Sequence, residues 1–196
     1  MASKAVIKDI DRAIKEVWKK SISRDYRMNA LLMEDTLKCS LYFHLRKKLG
    51  AQFFKNSNIR IFTELTRGDL TGTGYKADIA IVELKKIFDE YHLGDNIKST
   101  IAIIELKFDH NDIAFLDDIR KIKSYITDLK IDCLYYLGFI AEKEYEVPNW
   151  LDGRQTNNWA NKKVAVLSAN REVGGDGSLR FFIQSCNGLN KDLDEL

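Results

Sequence analysis

Two apolar runs in this chain end on the same tripeptide. Residues 77–84, ADIAIVEL, run into Lys85, and residues 100–108, TIAIIELKF, carry Lys107 near their end, so Glu-Leu-Lys stands at 83–85 and again at 105–107. Both runs read as buried strands. Side chains alternate across a strand with period two. On the second run Ile101, Ile103, Glu105 and Lys107 share one face, and Ala102, Ile104, Leu106 and Phe108 share the other. Apolar residues on both faces describe a central strand covered on both sides. An acid and an amine at the end of such a strand need partners or a metal ion, because an unpaired buried charge is costly.

The elements around these strands follow from spacing. Val6, Ile7, Ile10, Ile14, Val17 and Trp18 recur at helical intervals and predict a helix over 3–22. A second helix is expected over 28–49, stopped by Gly50. A strand is expected at 58–65, then a Gly- and Thr-rich loop, TRGDLTGTGYK, at 66–76. After the strand at 100–108, Asn111 or Asp112 can cap a helix reaching about residue 129, with Ile113, Leu116, Ile119, Ile122 and Ile126 as its apolar stripe. DCLYYLGFI (132–140) reads as another strand, and residues 149–162 as a polar loop or short helix. KVAVLSA and LRFFIQS are expected to form a hairpin across GGDG, with a frayed tail from Asn187. Short links favour an antiparallel meander for the first three strands, and the long helix permits a parallel crossover to the fourth. The expectation is one α/β domain over residues 1–196. Its mixed central sheet is flanked by helices in the order α-β-β-β-α-β, with a core at about 28–140. An extra N-terminal helix precedes the core, and a C-terminal extension with a β-hairpin covers about 141–186.

If the second and third strands pair antiparallel, the start of one lies beside the end of the other. Asp78 then falls near Glu105 and Lys107. The helix before the strands adds another acid: Glu34 has Ala30, Leu31, Leu37, Leu41 and Leu45 within about one sixth of a turn, on the stripe that should face the sheet. Were Glu83 and Lys85 the active copy, their acid partner would have to be Glu64 or Asp69. The second tripeptide is the better framed, by Asp78 before it and an amphipathic helix after it. Glu83 and Lys85 read as a strand running out into solvent.

Composition narrows the class. Charged residues make up 31% and the net charge is +2, so the chain is no polycation. No apolar run approaches the ~20 residues of a membrane span, and the mixed-charge N-terminus does not read as a secretory signal. Cys39, Cys133 and Cys186 form no Cys-x-x-Cys pair, which points away from a zinc site or disulfide framework and towards a reduced, cytoplasmic compartment. Basic residues cluster at Lys19-Lys20, Arg46-Lys47-Lys48, Lys85-Lys86, Arg120-Lys121 and Lys162-Lys163, where solvated faces are the plain reading. TGTGYK lacks the spacing of a phosphate-binding loop.

Asp78 followed by Glu105-x-Lys107 on consecutive strands, with Glu34 in the preceding helix, resembles the PD-(D/E)XK nuclease superfamily, whose fold is restriction-endonuclease-like. The resemblance spans roughly residues 28–140. Ala77 stands where the family's proline precedes the aspartate. It implies a nuclease that hydrolyses phosphodiester bonds in DNA, in restriction or repair, using Mg²⁺, with Mn²⁺ as substitute. Phosphodiester hydrolysis needs a cation to neutralise phosphate and activate water, and hard oxygen ligands suit Mg²⁺. By resemblance, Asp78, Glu105 and the Leu106 carbonyl bind the ion. Glu34 is an outer ligand or holds a second ion. Lys107 orients the attacking water and stabilises charge near the phosphate; as a desolvated amine it can also accept a proton. His110 could touch a substrate phosphate, and Lys121 and Tyr125 could line the groove. Arg154, Gln155, Asn157, Asn158 and Trp159 are types able to read or stack on bases, though a polar surface loop explains them equally. A homodimer is a further expectation for cutting two strands. The alternative is a non-catalytic nuclease-like module that binds DNA or a protein partner.

Overall fold

The computed structural model describes residues 2–66, 76–87, 92–108, 112–145 and 150–193. The loop at 67–75 with Asp69, and the residues His110 and Asn111, lie outside these.

Six strands form one open mixed sheet in chain order: β1 (Ile59–Leu65), β2 (Ala77–Leu84), β3 (Ile97–Phe108), β4 (Leu134–Tyr145), β5 (Val164–Glu172) and β6 (Leu179–Ser185). β1, β2 and β3 are antiparallel neighbours, as their short links require. Helix α4 (Asp112–Thr127) carries the chain across to β4, which runs parallel to β3. β5 is again parallel to β4, and β6 returns antiparallel as the expected hairpin. The expected core and extension therefore share one sheet, and β4 runs through the position where the core was to end.

Helices cover both faces. On one, α1 (Lys4–Glu16) and the π-helical segment after it (Val17–Ile22) pack with α3 (Glu34–Ser57), burying Ile10, Ile14, Trp18, Leu41 and Leu45 against Ile79, Ile104, Leu106 and Leu167. On the other, α4 sets Phe115, Ile119, Ile122 and Tyr125 against Ala80, Ile103, Leu137 and Val166. Packing is close at Gly138 of β4, paired with Leu106, where a Cβ would come within 2.5 Å of Leu106 Cδ2 and 3.5 Å of the Trp18 ring. Among the described residues no helix is long and apolar enough to cross a membrane.

Several expectations are corrected. The first helix does not stop at residue 22: it passes through a π-helical segment, Val17–Ile22, into α2 (Ser23–Arg27). Asn29 then turns left-handed at φ 55°, a common helix terminator. α3 accordingly begins at Glu34, not at residue 28; the Thr36 hydroxyl accepts from the Leu32 and Met33 amides, and Glu34 and Asp35 sit favourably in its first turn. At Gly50 the backbone is non-helical, at φ 78° and ψ 156°, so the helical path breaks there as expected, and a second helical stretch follows to Ser57. On β3 strict alternation fails at Ile101. Ile81 pairs with Ala102 but Val82 with Thr100, so Ile101 is the extra residue of a bulge and joins Ala102 on the α1 side. On α4 the buried stripe is Phe115, Ile119, Ile122 and Tyr125, whereas Ile113 and Leu116 are exposed. Finally, the tail is not frayed over residues 187–193. Asn187 and Asn190 donate to the buried Asp11 carboxylate, which also pairs with the buried Lys15 at 3.0 Å and accepts from Tyr136 at 2.8 Å.

Candidate active site

The antiparallel register sets the site. Ile79 pairs with Ile104, so the next residues along each strand are Asp78 and Glu105. The Leu106 amide donates to Asp78 Oδ2 at 2.7 Å, which fixes that carboxylate against the end of β3. Glu105 points to the α4 side and is only 2% exposed. Lys121 of α4 donates to its Oε2 at 2.7 Å, and the Tyr125 hydroxyl reaches its Oε1 at 3.4 Å.

Lys107, two residues on, stands where the helical layers meet. Its Nζ is 3.2 Å from Glu34 Oε2 and 3.3 Å from Asp118 Oδ2, and it donates to the Leu106 carbonyl at 3.1 Å. Glu34 thus reaches the site from the first turn of α3, not from mid-helix. One turn on, Lys38 lies 3.8 Å from Asp78 Oδ1 and 3.3 Å from Asp35, and it pairs closely with Glu64. All four residues read from the sequence, Glu34, Asp78, Glu105 and Lys107, belong to this one cluster at the rim of the sheet.

Three members were missed or undervalued. Asp118 is an acid inside the apolar stripe of α4, the same signal that singled out Glu34. It was hidden by the wrong phase of that stripe. Lys121 follows it by three residues and so shares its face. Lys38 is one helical turn from Glu34, and nothing local distinguishes it from a solvated lysine.

Burial and charge shift the titrations here. The Glu105 carboxyl ends up at about 8: burial is the largest cause, Asp78 and Asp118 add to the rise, and Lys121 opposes it. Burial likewise raises Asp118, against the opposing pull of Lys107 and Lys121. Burial alone would press Lys107 down, but Asp118, Glu34 and Asp78 outweigh it and the amine ends above its ordinary value. That corrects the expectation that desolvation equips Lys107 to accept a proton: here it stays an ammonium.

The donor chemistry fits a hard divalent cation. Asp78, Glu105 and the Leu106 carbonyl offer oxygen atoms on adjacent strands, and the buried Glu105 charge is the kind a dication stabilises. As placed, no three acids among the described residues surround a common point. Ammonium groups occupy those oxygens instead, Lys121 on Glu105 and Lys107 on Glu34 and the Leu106 carbonyl.

The other tripeptide is far away. Glu83 pairs with Ile59 at the opposite end of β1 and bonds to Lys98 at 2.8 Å. Six residues of strand, about 20 Å, separate it from Ala77. Glu64, considered as its partner, sits at the Asp78 end, paired with Lys38 and Lys76. In the polar segment before β5, Gln155 is taken up in capping the short α5 (Gly153–Thr156) through Asp152, and Trp159 packs on the core. Comparison with family models, with curated proteins and with solved structures finds no match for this chain.

Proposed function

We propose that this chain is a divalent-cation-dependent nuclease of the PD-(D/E)XK type, with a restriction-endonuclease-like core, that hydrolyses phosphodiester bonds in DNA. One observation carries the reading. Asp78 and Glu105 lie side by side on antiparallel strands, with Lys107 next along the rim and Asp78 held by the amide of Leu106.

In this reading Asp78, Glu105 and the Leu106 carbonyl hold the cation, Mg²⁺ or Mn²⁺. The bound cation neutralises phosphate charge and makes water a better nucleophile. The Leu106 amide occupies Oδ2 of Asp78, which leaves Oδ1, 3.8 Å from the Lys38 ammonium, as the oxygen for the cation. Lys107, kept charged by Asp118 and Glu34, donates to the attacking water or to a phosphate oxygen. Lys121 holds the Glu105 carboxyl in place, and cation binding would favour loss of its proton. Glu34 orients Lys107 rather than serving as a separate ligand.

A second reading has an observation of its own. Glu34, Glu105 and Asp118 are each within ion-pair distance of a lysine, as expected of a structural charge network in a nuclease-like module that binds DNA or a protein without cutting it.

Incubating plasmid and single-stranded DNA with the protein in Mg²⁺, Mn²⁺ or EDTA separates the two. Cutting that needs the cation and disappears in both Glu105→Ala and Lys107→Ala is the expected result. Cutting that survives both substitutions removes the assignment, and DNA binding without cutting in any divalent ion favours the module.

A further inference from the structure

A second charged feature lies away from this site, in the groove between the π-helical segment with α2 and the middle of α3. Lys20, Ser21 and Arg24 line it from one side and His44, Lys47 and Lys48 from the other, around a cleft of about 390 Å³. Lys47 is thirteen residues along α3 from Glu34, about 20 Å by helical rise. The cleft is therefore not an extension of the carboxylate–lysine cluster.

Helix–helix grooves normally close on apolar side chains. Here basic side chains face each other across the gap, and like charges so placed repel. Two carboxylates relieve part of this. Glu16 pairs with Lys48, and Asp25 takes both Arg24, at 3.2 Å, and His44, at 2.8 Å. Four cations against two carboxylates leave two in excess. These are Lys20 and Lys47, each exposed and without a carboxylate within ion-pair distance among the described residues. The floor is built rather than frayed: His44 is 8% exposed and its Asp25 partner is also held by the Ser40 hydroxyl at 2.7 Å. The lining helix is π-helical over Val17–Ile22. Such turns re-aim side chains and recur at functional sites.

We propose that this cleft binds a phosphoryl anion, with Lys20 and Lys47 as its principal contacts and Arg24 and Lys48 completing the ring of charge. The anion supplies the counter-charge that the protein lacks there. Lysines bind phosphate as point charges from several directions, while Arg24, whose Nε and Nη2 donate to Asp25, adds positive charge at the edge. The phosphoryl group belongs either to a nucleic-acid backbone or to a free small ligand. The inference does not depend on the nuclease reading.

The test is calorimetric titration of the whole protein in EDTA with pyrophosphate and, separately, with a short oligonucleotide. Saturable pyrophosphate binding is expected, weakened at least about tenfold in the double variant Lys20→Ala/Lys47→Ala and unchanged in Lys85→Ala. Both lysines are exposed, so thermal unfolding should be unaltered. An oligonucleotide affinity that falls with the same double variant, with a salt dependence shallower by between one and two in log–log slope, identifies the backbone as the source. Loss confined to pyrophosphate identifies a free ligand. Equal pyrophosphate affinity in variant and parent, or no saturable binding of either probe to the parent, overturns the proposal. Glu105→Gln should bind pyrophosphate normally whether or not the protein cuts DNA, which keeps the two readings separable.

Discussion

Lys121 donates to Glu105 across 2.7 Å, from α4 down onto the central strand β3. The bond joins an ammonium that α4 supplies to a carboxyl that the sheet buries, and it opposes the burial that leaves that carboxyl at about 8.

That shift predicts a pH dependence. In the unfolded chain Glu105 loses its proton near the ordinary value of ~4.3. Between there and about 8 the folded protein holds a proton that the unfolded chain has lost. Stability from this group is therefore complete at low pH and declines as pH rises through that window, by at most ~1.4 kcal/mol per unit. Glu105→Gln cannot ionise. In EDTA, urea unfolding at about pH 5 and about pH 8 should show the parent losing more stability than the variant; equal losses refute the assignment.

Asp118 should position Lys107 rather than act on substrate. Asp118, together with Glu34 and Asp78, outweighs burial at that amine. In Asp118→Asn the Lys107 value moves down, so the alkaline limb of the cleavage rate should shift to lower pH. The maximal rate should fall roughly tenfold, well short of the ~10²–10³ expected for Lys107→Ala. An unshifted pH–rate profile would show that Asp118 has no hold on Lys107.

The tripeptide at 83–85 lies at the far end of the strands, where Glu83 bonds to Lys98 and Lys85 is exposed. Lys85→Ala should leave cleavage within about twofold of the parent and stability within ~0.5 kcal/mol. A large loss of cleavage would transfer the site to the first copy.

Asp11 anchors the C-terminal segment from inside the core, accepting from Tyr136, Asn187 and Asn190 and pairing with Lys15. Asp11→Ala strands a buried ammonium and should cost ~3–5 kcal/mol. Hydrogen exchange should show residues 187–193 released ahead of the sheet. Unchanged protection there would mean that the segment is held by something else.

Gly138 sits opposite Leu106 and near Trp18, so an added Cβ would need the buried Leu106 Cδ2 to move. Gly138→Ala should destabilise by about 1–3 kcal/mol through overpacking. Because Leu106 lies between Glu105 and Lys107, cleavage should also fall by more than the unfolded fraction explains. Normal stability would show that the strands yield there without strain.

Within single elements the sequence was a sound guide. Alternation along residues 77–84 and 100–108 placed Asp78 with Ala80 and Val82, and set Glu105 at the end of a buried strand. Link lengths implied the antiparallel and parallel pairings around β3. These features are local, since strand period and connection length depend on neighbours in the chain. The misreadings also have local causes. Ile113 and Leu116 match a helical stripe as well as Phe115 and Tyr125 do, and only docking on the sheet selects between them. The bulge at Ile101 answers to the pairing of β2 with β3, which no single strand reveals.

By itself, then, the sequence determined where the strands fall, the pairings around β3 and the acids at the strand ends, because burying alternating apolar side chains leaves few arrangements. The joining of β5 and β6 to the same sheet was left to the tertiary structure. Only the tertiary structure decided that Lys107 meets both Glu34 and Asp118, that Lys121 meets Glu105, and that Lys20 faces Lys47 across a groove. Each of those relations joins charges from separate elements. Their energy depends on how layers dock and how far water is excluded, and neither quantity exists until the chain has folded.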